Sequence, residues 1–347
     1  MLDINSIVNK AQMMNASDIH LVSDRPVKCR IDGQLTTLEE RIIPASECEE
    51  VIRNLAGDSY IQVKSMGELD MAFTFECGAR TRINIFRSNG AVSAAIRILS
   101  DHIPEIEELE LPEAVNMFPG YSNGIVLVTG ETGSGKSTTL AAVLNRINHT
   151  RYEHIITLED PVEYIYTPDR CVINQREIGR DTKSYADGLR AILREDPDII
   201  LIGEMRDLDT IEAALTAAET GHLVFATLHT NSAADSIDRI VGVFPDGRQK
   251  QIRMQLSTTL RVVLSQQLVP KTSGGRAAAC EVMVVNDAIR NIIREGKTPQ
   301  IENFIAMNQQ SGSMLMDNAL MKLAAEGKIS REEAAKRSKN TTESTNF

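Results

Sequence analysis

Apolar residues Ile4, Ile7, Val8, Ala11 and Met14 recur at helical spacing near the start of the chain. Strand-like runs follow at 19–22 and 27–31, and Asp32-Gly33 predicts a tight turn. Pro44 with Val51, Ile52 and Leu55 predicts a second helix that stops at Gly57. A hairpin is expected over 79–99, with Ser88-Asn89-Gly90 at its tip. Residues 101–120 then change character, with four glutamates (Glu105, Glu107, Glu108, Glu110) and prolines 104, 112 and 119. This pattern predicts an α+β domain over 1–100 and a linker over 101–120.

From 121 the pattern becomes strand, loop and helix in alternation. The runs at 125–128, 155–158, 199–202 and 223–226 are short, continuous and rich in β-branched residues, as in a buried parallel sheet. We therefore expect an α/β domain over 121–347, helical from about 271, with the polar last ten residues fraying.

Composition narrows the function. With 37 Lys and Arg against 48 Asp and Glu, the formal net charge is −11, which disfavours a nucleic-acid binder. Aromatics are 4% with no Trp, so base stacking is disfavoured too. No apolar run is long enough for a membrane helix, and the N-terminus lacks a secretory pattern. Five scattered cysteines form no Cys-x-x-Cys and read as reduced thiols of a cytoplasmic protein.

The sharpest signal is the stretch Gly130-Glu131-Thr132-Gly133-Ser134-Gly135-Lys136-Ser137-Thr138, between a strand and a helix. Such a loop wraps its backbone N–H groups around phosphates; Lys136 reaches the β- and γ-phosphates and Ser137 holds Mg²⁺. This predicts ATP and Mg²⁺ as ligands.

Three more strand ends carry polar residues: Glu159-Asp160-Pro161-Val162-Glu163, Gly203-Glu204-Met205-Arg206-Asp207, and His229-Thr230-Asn231. Taken alone, Asp-Pro is a turn former and Asp207 suits a helix cap. His222 follows a helix end, where a helix dipole favours its charge. Beside a phosphate loop, the strand ends point to catalysis, with Glu204 near Mg²⁺, Glu163 activating water and His229 at the γ-phosphate. The sequence leaves the two glutamate roles exchangeable.

If Asn89-Gly90 is a two-residue loop, paired positions sum to 179, and Arg82 faces Arg97. Like charges opposite one another are destabilising, which suits an anion between them. Without a phosphate loop in the chain, two side chains splayed into solvent would be the simpler reading. With one, the pair resembles arginine fingers that complete a neighbour's site in a head-to-tail ring.

These residues resemble the type II/IV secretion ATPase superfamily and, within it, the type IV pilus retraction (PilT-type) ATPases. Ala16-Ser17-Asp18-Ile19-His20-Leu21 and Arg30-Ile31-Asp32-Gly33 resemble the family's N-terminal PAS-like domain. Residues 156–163 resemble its Asp box, 203–207 its Walker B element and 221–231 its His box; Arg82 and Arg97 fall where it places interface arginines. The stretch 288–297 resembles a retraction-subfamily element, read here as a short helix capped by Asp287 and ended by Gly296. Glu131 stands where Pro is common, and Met316-Asp317 replaces Leu-Asp. The resemblance implies a RecA-like ATPase core, a smaller PAS-like domain and a helical C-terminal segment. It also implies a homohexameric motor, peripheral at the cytoplasmic face of the membrane, acting on an inner-membrane platform protein to depolymerise pilin. Pilus-assembly and type II secretion ATPases share the chemistry but carry longer N-terminal modules and Cys-x-x-Cys sites. Outside this superfamily, a phosphate loop of this kind also suits a RecA-like nucleic-acid motor or an ATP-binding scaffold that does not hydrolyse. Net charge opposes the first, and the polar strand ends oppose the second.

Overall fold

The computed structural model describes residues 2–31, 34–99 and 102–338. Its internal contacts divide the chain into two units, Met1–His102 with Glu163–Ile165, and Ile103–Val162 with Tyr166–Phe347. The turn expected at Asp32-Gly33 lies outside the described residues, as do all but Ser338 of the last ten.

In the first unit, α1 (Ile4–Met13) begins where the Asp3 carboxylate accepts the N–H groups of Asn5 and Ser6, and it buries Ile7, Val8 and Ala11. Strands β1 (Asp18–Leu21), β2 (Arg25–Ile31) and β3 (Gln34–Ile43) precede α2 (Ala45–Ala56) and α3 (Tyr60–Met66). As the sequence predicts, α2 ends at Gly57, whose φ of +53° is open to glycine. Strands β4 (Glu68–Thr74), β5 (Arg80–Ser88) and β6 (Ala91–Ile98) complete a six-stranded antiparallel sheet ordered β3-β2-β1-β6-β5-β4. Asn89 and Gly90 both take positive φ, 52° and 81°, the backbone of a two-residue hairpin turn. Ser88 consequently pairs with Ala91, and Arg82 lies opposite Arg97. On β5, Thr81, Ile83 and Ile85 enter the core, which sends Arg82 and Asn84 to the other face.

The second unit opens with 3₁₀ turns at Ile106–Leu109 and Glu113–Gly120, within the segment expected as a linker; they bury Ile106, Val115 and Phe118. Then come β7 (Gly124–Thr129), α4 (Lys136–Thr150), β8 (His154–Glu159), β9 (Val172–Glu177) and α5 (Tyr185–Ile192). The acidic run is answered inside this unit, because Glu105 and Glu107 pair with Arg146 of α4. The chain continues through β10 (Ile199–Ile202), α6 (Leu208–Glu219), β11 (Leu223–Leu228), α7 (Ala233–Gly242), α8 (Asp246–Thr259) and β12 (Leu260–Pro270). It ends with β13 (Arg276–Val284), α9 (Asp287–Glu295), α10 (Ile301–Met307), α11 (Met316–Ala325) and α12 (Arg331–Arg337).

Seven strands form the sheet, in the order β13-β12-β7-β11-β10-β8-β9, with β13 antiparallel to β12 and the others parallel. Strands β7, β10 and β11 are buried throughout, as strands covered on both faces must be.

The helical expectation from about 271 is corrected over 276–284, where the chain is an edge strand. Ala277-Ala278-Ala279 favours a helix locally. Instead, Gly274 and Gly275, both at positive φ, turn the chain back, and β13 pairs with β12 from Val284 to Arg276. The cap of α9 is also corrected. Asn286 accepts the N–H of Ile289 at 2.9 Å, whereas Asp287 is the first helical residue and pairs with Arg290.

Candidate active site

Strand β7 delivers the chain to Gly130, and α4 begins at Lys136 after Gly133 and Gly135, which take φ of 80° and 91°. A Cβ on Gly130 would lie 2.3 Å from the Gln266 carbonyl oxygen, and one on Gly135 would lie 2.7 Å from Gln266 Nε2. The loop therefore rests directly on β12; the backbone carbonyl bars a side chain at Gly130, and the φ of 91° strains one at Gly135. Gln266 is itself pinned, accepting from the Thr139 hydroxyl at 2.9 Å, while Thr129 and Ser265 bond between β7 and β12. Lys136 is buried, with Nζ donating to the carbonyls of Gly130 (2.7 Å) and Glu131 (2.9 Å). The Ser134 hydroxyl is buried and has no hydrogen-bond partner among the described residues. An unpaired buried hydroxyl, glycine-only turns and a lysine at a helix N-terminus suit an anion that brings its own acceptors. Beside the loop, a cavity of about 430 Å³ is lined by Leu109, Leu111, Thr138, Leu268, Lys271 and Arg276, among others.

The strand order puts the ends of β7, β11, β10 and β8 side by side, in the crevice where open α/β sheets bind ligands. Glu204 follows β10; its Oε1 lies 2.6 Å from Arg206 Nε and 3.2 Å from His229 Nε2 at the end of β11. Burial would raise the Glu204 pKa, but Arg206 and His229 outweigh that effect and hold it below the usual range. The turn is tied across the sheet, as the Thr227 hydroxyl donates to the Gly203 carbonyl and Met205 N–H to the Thr227 carbonyl.

Asp207 caps α6 through the Thr210 N–H at 2.8 Å, as its position predicts. His222 is occupied at the end of α6, its Nδ1 2.9 Å from the Ala217 carbonyl oxygen. Ser137 lies exposed on the first turn of α4. Among the described residues no cluster of three His, Cys, Asp or Glu could hold a metal. Mg²⁺ bound with nucleotide needs fewer protein ligands, because phosphates and waters complete its shell. Glu163 is not drawn into this set; it is exposed and groups with the first unit.

The arginine pair of the first unit corrects one premise of the sequence reading. The negative charge comes from the chain itself: Arg97 Nε is 3.0 Å from Asp18 Oδ1, and Arg82 Nε is 3.9 Å from Asp70 Oδ1.

Residues 1–274 match the family model described as type II/IV secretion system protein. The chain belongs to that family. It is 44% identical over 341 residues to the type IV pilus retraction ATPase PilT of Pseudomonas aeruginosa, covering 97% of this chain and 98% of the relative. A twitching motility protein of Neisseria gonorrhoeae is 42% identical over 314 residues, covering 90% of this chain and 84% of that one. A crystal structure of the pilus retraction motor PilT with bound ADP matches with a TM-score of 0.92 at 45% identity, covering 98% of each chain.

For this member of the secretion family, sequence reasoning missed Gln266, the floor of the phosphate loop. A signal was present: the apolar run Val262-Val263-Leu264 ends in Ser265-Gln266-Gln267, one more strand end with polar residues. Asp18 and Asp70 were missed as arginine partners, since only the sheet register brings them to Arg97 and Arg82.

Proposed function

We propose that this protein is a motor that hydrolyses ATP with Mg²⁺ to power type IV pilus retraction, as a homohexamer at the cytoplasmic face of the membrane. The observation that carries the reading is the phosphate loop beside the Glu204–His229 pair, in a chain aligned along nearly all of a pilus retraction ATPase. Backbone N–H groups of 130–138 and Lys136 hold the β- and γ-phosphates. Ser137 and Glu204 are the residues that would hold Mg²⁺, whose charge offsets that of the phosphates. His229 ties the γ-phosphate side of the site to Glu204 through their hydrogen bond. Glu163 takes the proton of the attacking water. Arg82 and Arg97 of the neighbouring subunit face the transferred phosphoryl group. In this reading force reaches pilin through a platform protein in the inner membrane.

The glutamate roles are separable. Glu204→Gln should stop turnover and make nucleotide affinity less dependent on Mg²⁺. Glu163→Gln should leave Mg-ATP binding near the parent's while unhydrolysed nucleotide accumulates. Titrations with and without Mg²⁺ distinguish them, and the opposite pattern would exchange the assignments.

Deleting the gene and imaging labelled pili tests the biological reading. Retraction should stop and extended, static pili should accumulate. Cells without pili would indicate an assembly motor instead.

A further inference from the structure

The Arg82–Arg97 face of the first unit is more ordered than two paired charges require. Across the sheet, Asp18 lies directly opposite Arg97, and Asp70 lies opposite Asn84, two residues from Arg82. These side chains surround a cavity of about 300 Å³ with Ala95. Asp18 is itself fixed, because the Ser17 hydroxyl donates to its Oδ2 at 2.8 Å while Oδ1 takes Arg97 Nε. Asn84 Nδ2 steadies Asp70 at 3.1 Å. Burial alone would raise the Asp18 pKa; Ser17 and Arg97 outweigh it, so the carboxylate is charged at neutral pH. Exposure is unequal, with the Asp18 side chain 19% exposed and that of Arg97 65%. The anchored partner is the acid.

The contact edge matters. Both ion pairs are closest through Nε, and among the described residues neither arginine makes a hydrogen bond through Nη1 or Nη2. A guanidinium carries five N–H donors in a planar fork, so one held at Nε keeps its outer donors for a second anion. A lysine has three N–H donors on a single nitrogen and no separate outer edge, so a carboxylate that held it would draw that one charge away from the second anion.

We propose that Asp18 is a positioning residue, which holds Arg97 by Nε and so presents its terminal nitrogens to a nucleotide phosphate. This rests on the reading in which the arginines serve a neighbour's site. Asp70 is not assigned this role, because it stands 3.9 Å from Arg82 Nε, beyond hydrogen-bond reach, whereas the Asp18 contact is 3.0 Å and its carboxylate is more buried. The opposing view is a ladder of charges that stabilises the sheet face and no more.

Single-turnover ATP hydrolysis by assembled full-length protein decides between them, with melting temperature and assembly size as folding controls. Asp18→Ala should lower the hydrolysis rate about tenfold at unchanged KM, because a misplaced donor costs transition-state contact. Asp18→Asn keeps an acceptor for Nε and should lose less; it also serves if the alanine variant misfolds. In an Arg97→Lys background, Asp18→Ala should produce no fall, or a rise, because the carboxylate then competes for the only nitrogen. An equal fall in both backgrounds would make Asp18 structural and overturn the proposal. So would parental rates in Asp18→Ala and Asp18→Asn while Arg97→Ala is inactive, leaving the arginine reading intact. Parental hydrolysis by Arg97→Ala would sink that reading, and the proposal with it.

Discussion

Lys136→Ala is expected to yield a folded protein whose ATP hydrolysis has fallen by about a hundredfold or more. The loop's shape does not rest on the lysine alone. That shape comes from positive φ at Gly130, Gly133 and Gly135 and from the contact with Gln266, which Thr139 fixes from α4. Lys136 instead brings a buried ammonium to the start of α4, where its bonds to the Gly130 and Glu131 carbonyls keep it poised over the loop. Such a charge stabilises the transferring phosphoryl group, and alanine cannot replace it. Circular dichroism and a thermal melt should resemble the parent's, while phosphate release should fall to background. Hydrolysis within about tenfold of the parent would show that this loop is not the working one.

How much of this was legible in the sequence depends on the distance between interacting residues. The phosphate loop is a contiguous motif, and its strand, turn and helix follow directly from glycine spacing and an apolar run. The 82–97 register was legible because a two-residue turn fixes every pair above it. The four predicted parallel strands are apolar runs; β12 carries such a run too and was not picked out, whereas β9, with a half-exposed edge pattern, has none. Helix propensity was the wrong guide at 277–279, where pairing with β12 outweighs the preference of three alanines. The α9 cap was misplaced by one residue, since Asn286 and Asp287 are both good caps and only the backbone distinguishes them. The carboxylate partners of Arg97 and Arg82 were illegible because strands β1 and β4 reach them only through the sheet order. Glu163 was read from its motif, and its role is decided by chemistry beyond the fold of either unit.

The second large effect concerns the sharing of sites. The arginine pair belongs to the first unit and the phosphate loop to the second, and in the proposed head-to-tail ring one subunit supplies the loop and its neighbour the arginines. Removing an arginine finger costs about a thousandfold or more, so Arg97→Ala should be as inactive alone as Lys136→Ala. The two defects fall on opposite sides of each interface, however. In a ring assembled from equal amounts of both variants, about a quarter of interfaces pair an intact loop with an intact arginine. Cooperativity between sites lowers the yield below that fraction without abolishing the sign of the effect.

ATP hydrolysis by such mixed rings, after native mass spectrometry has confirmed that both variants share one assembly, therefore tests the account most directly. Activity well above that of either variant alone is the predicted result. Full hydrolysis by Arg97→Ala rings on their own would contradict it.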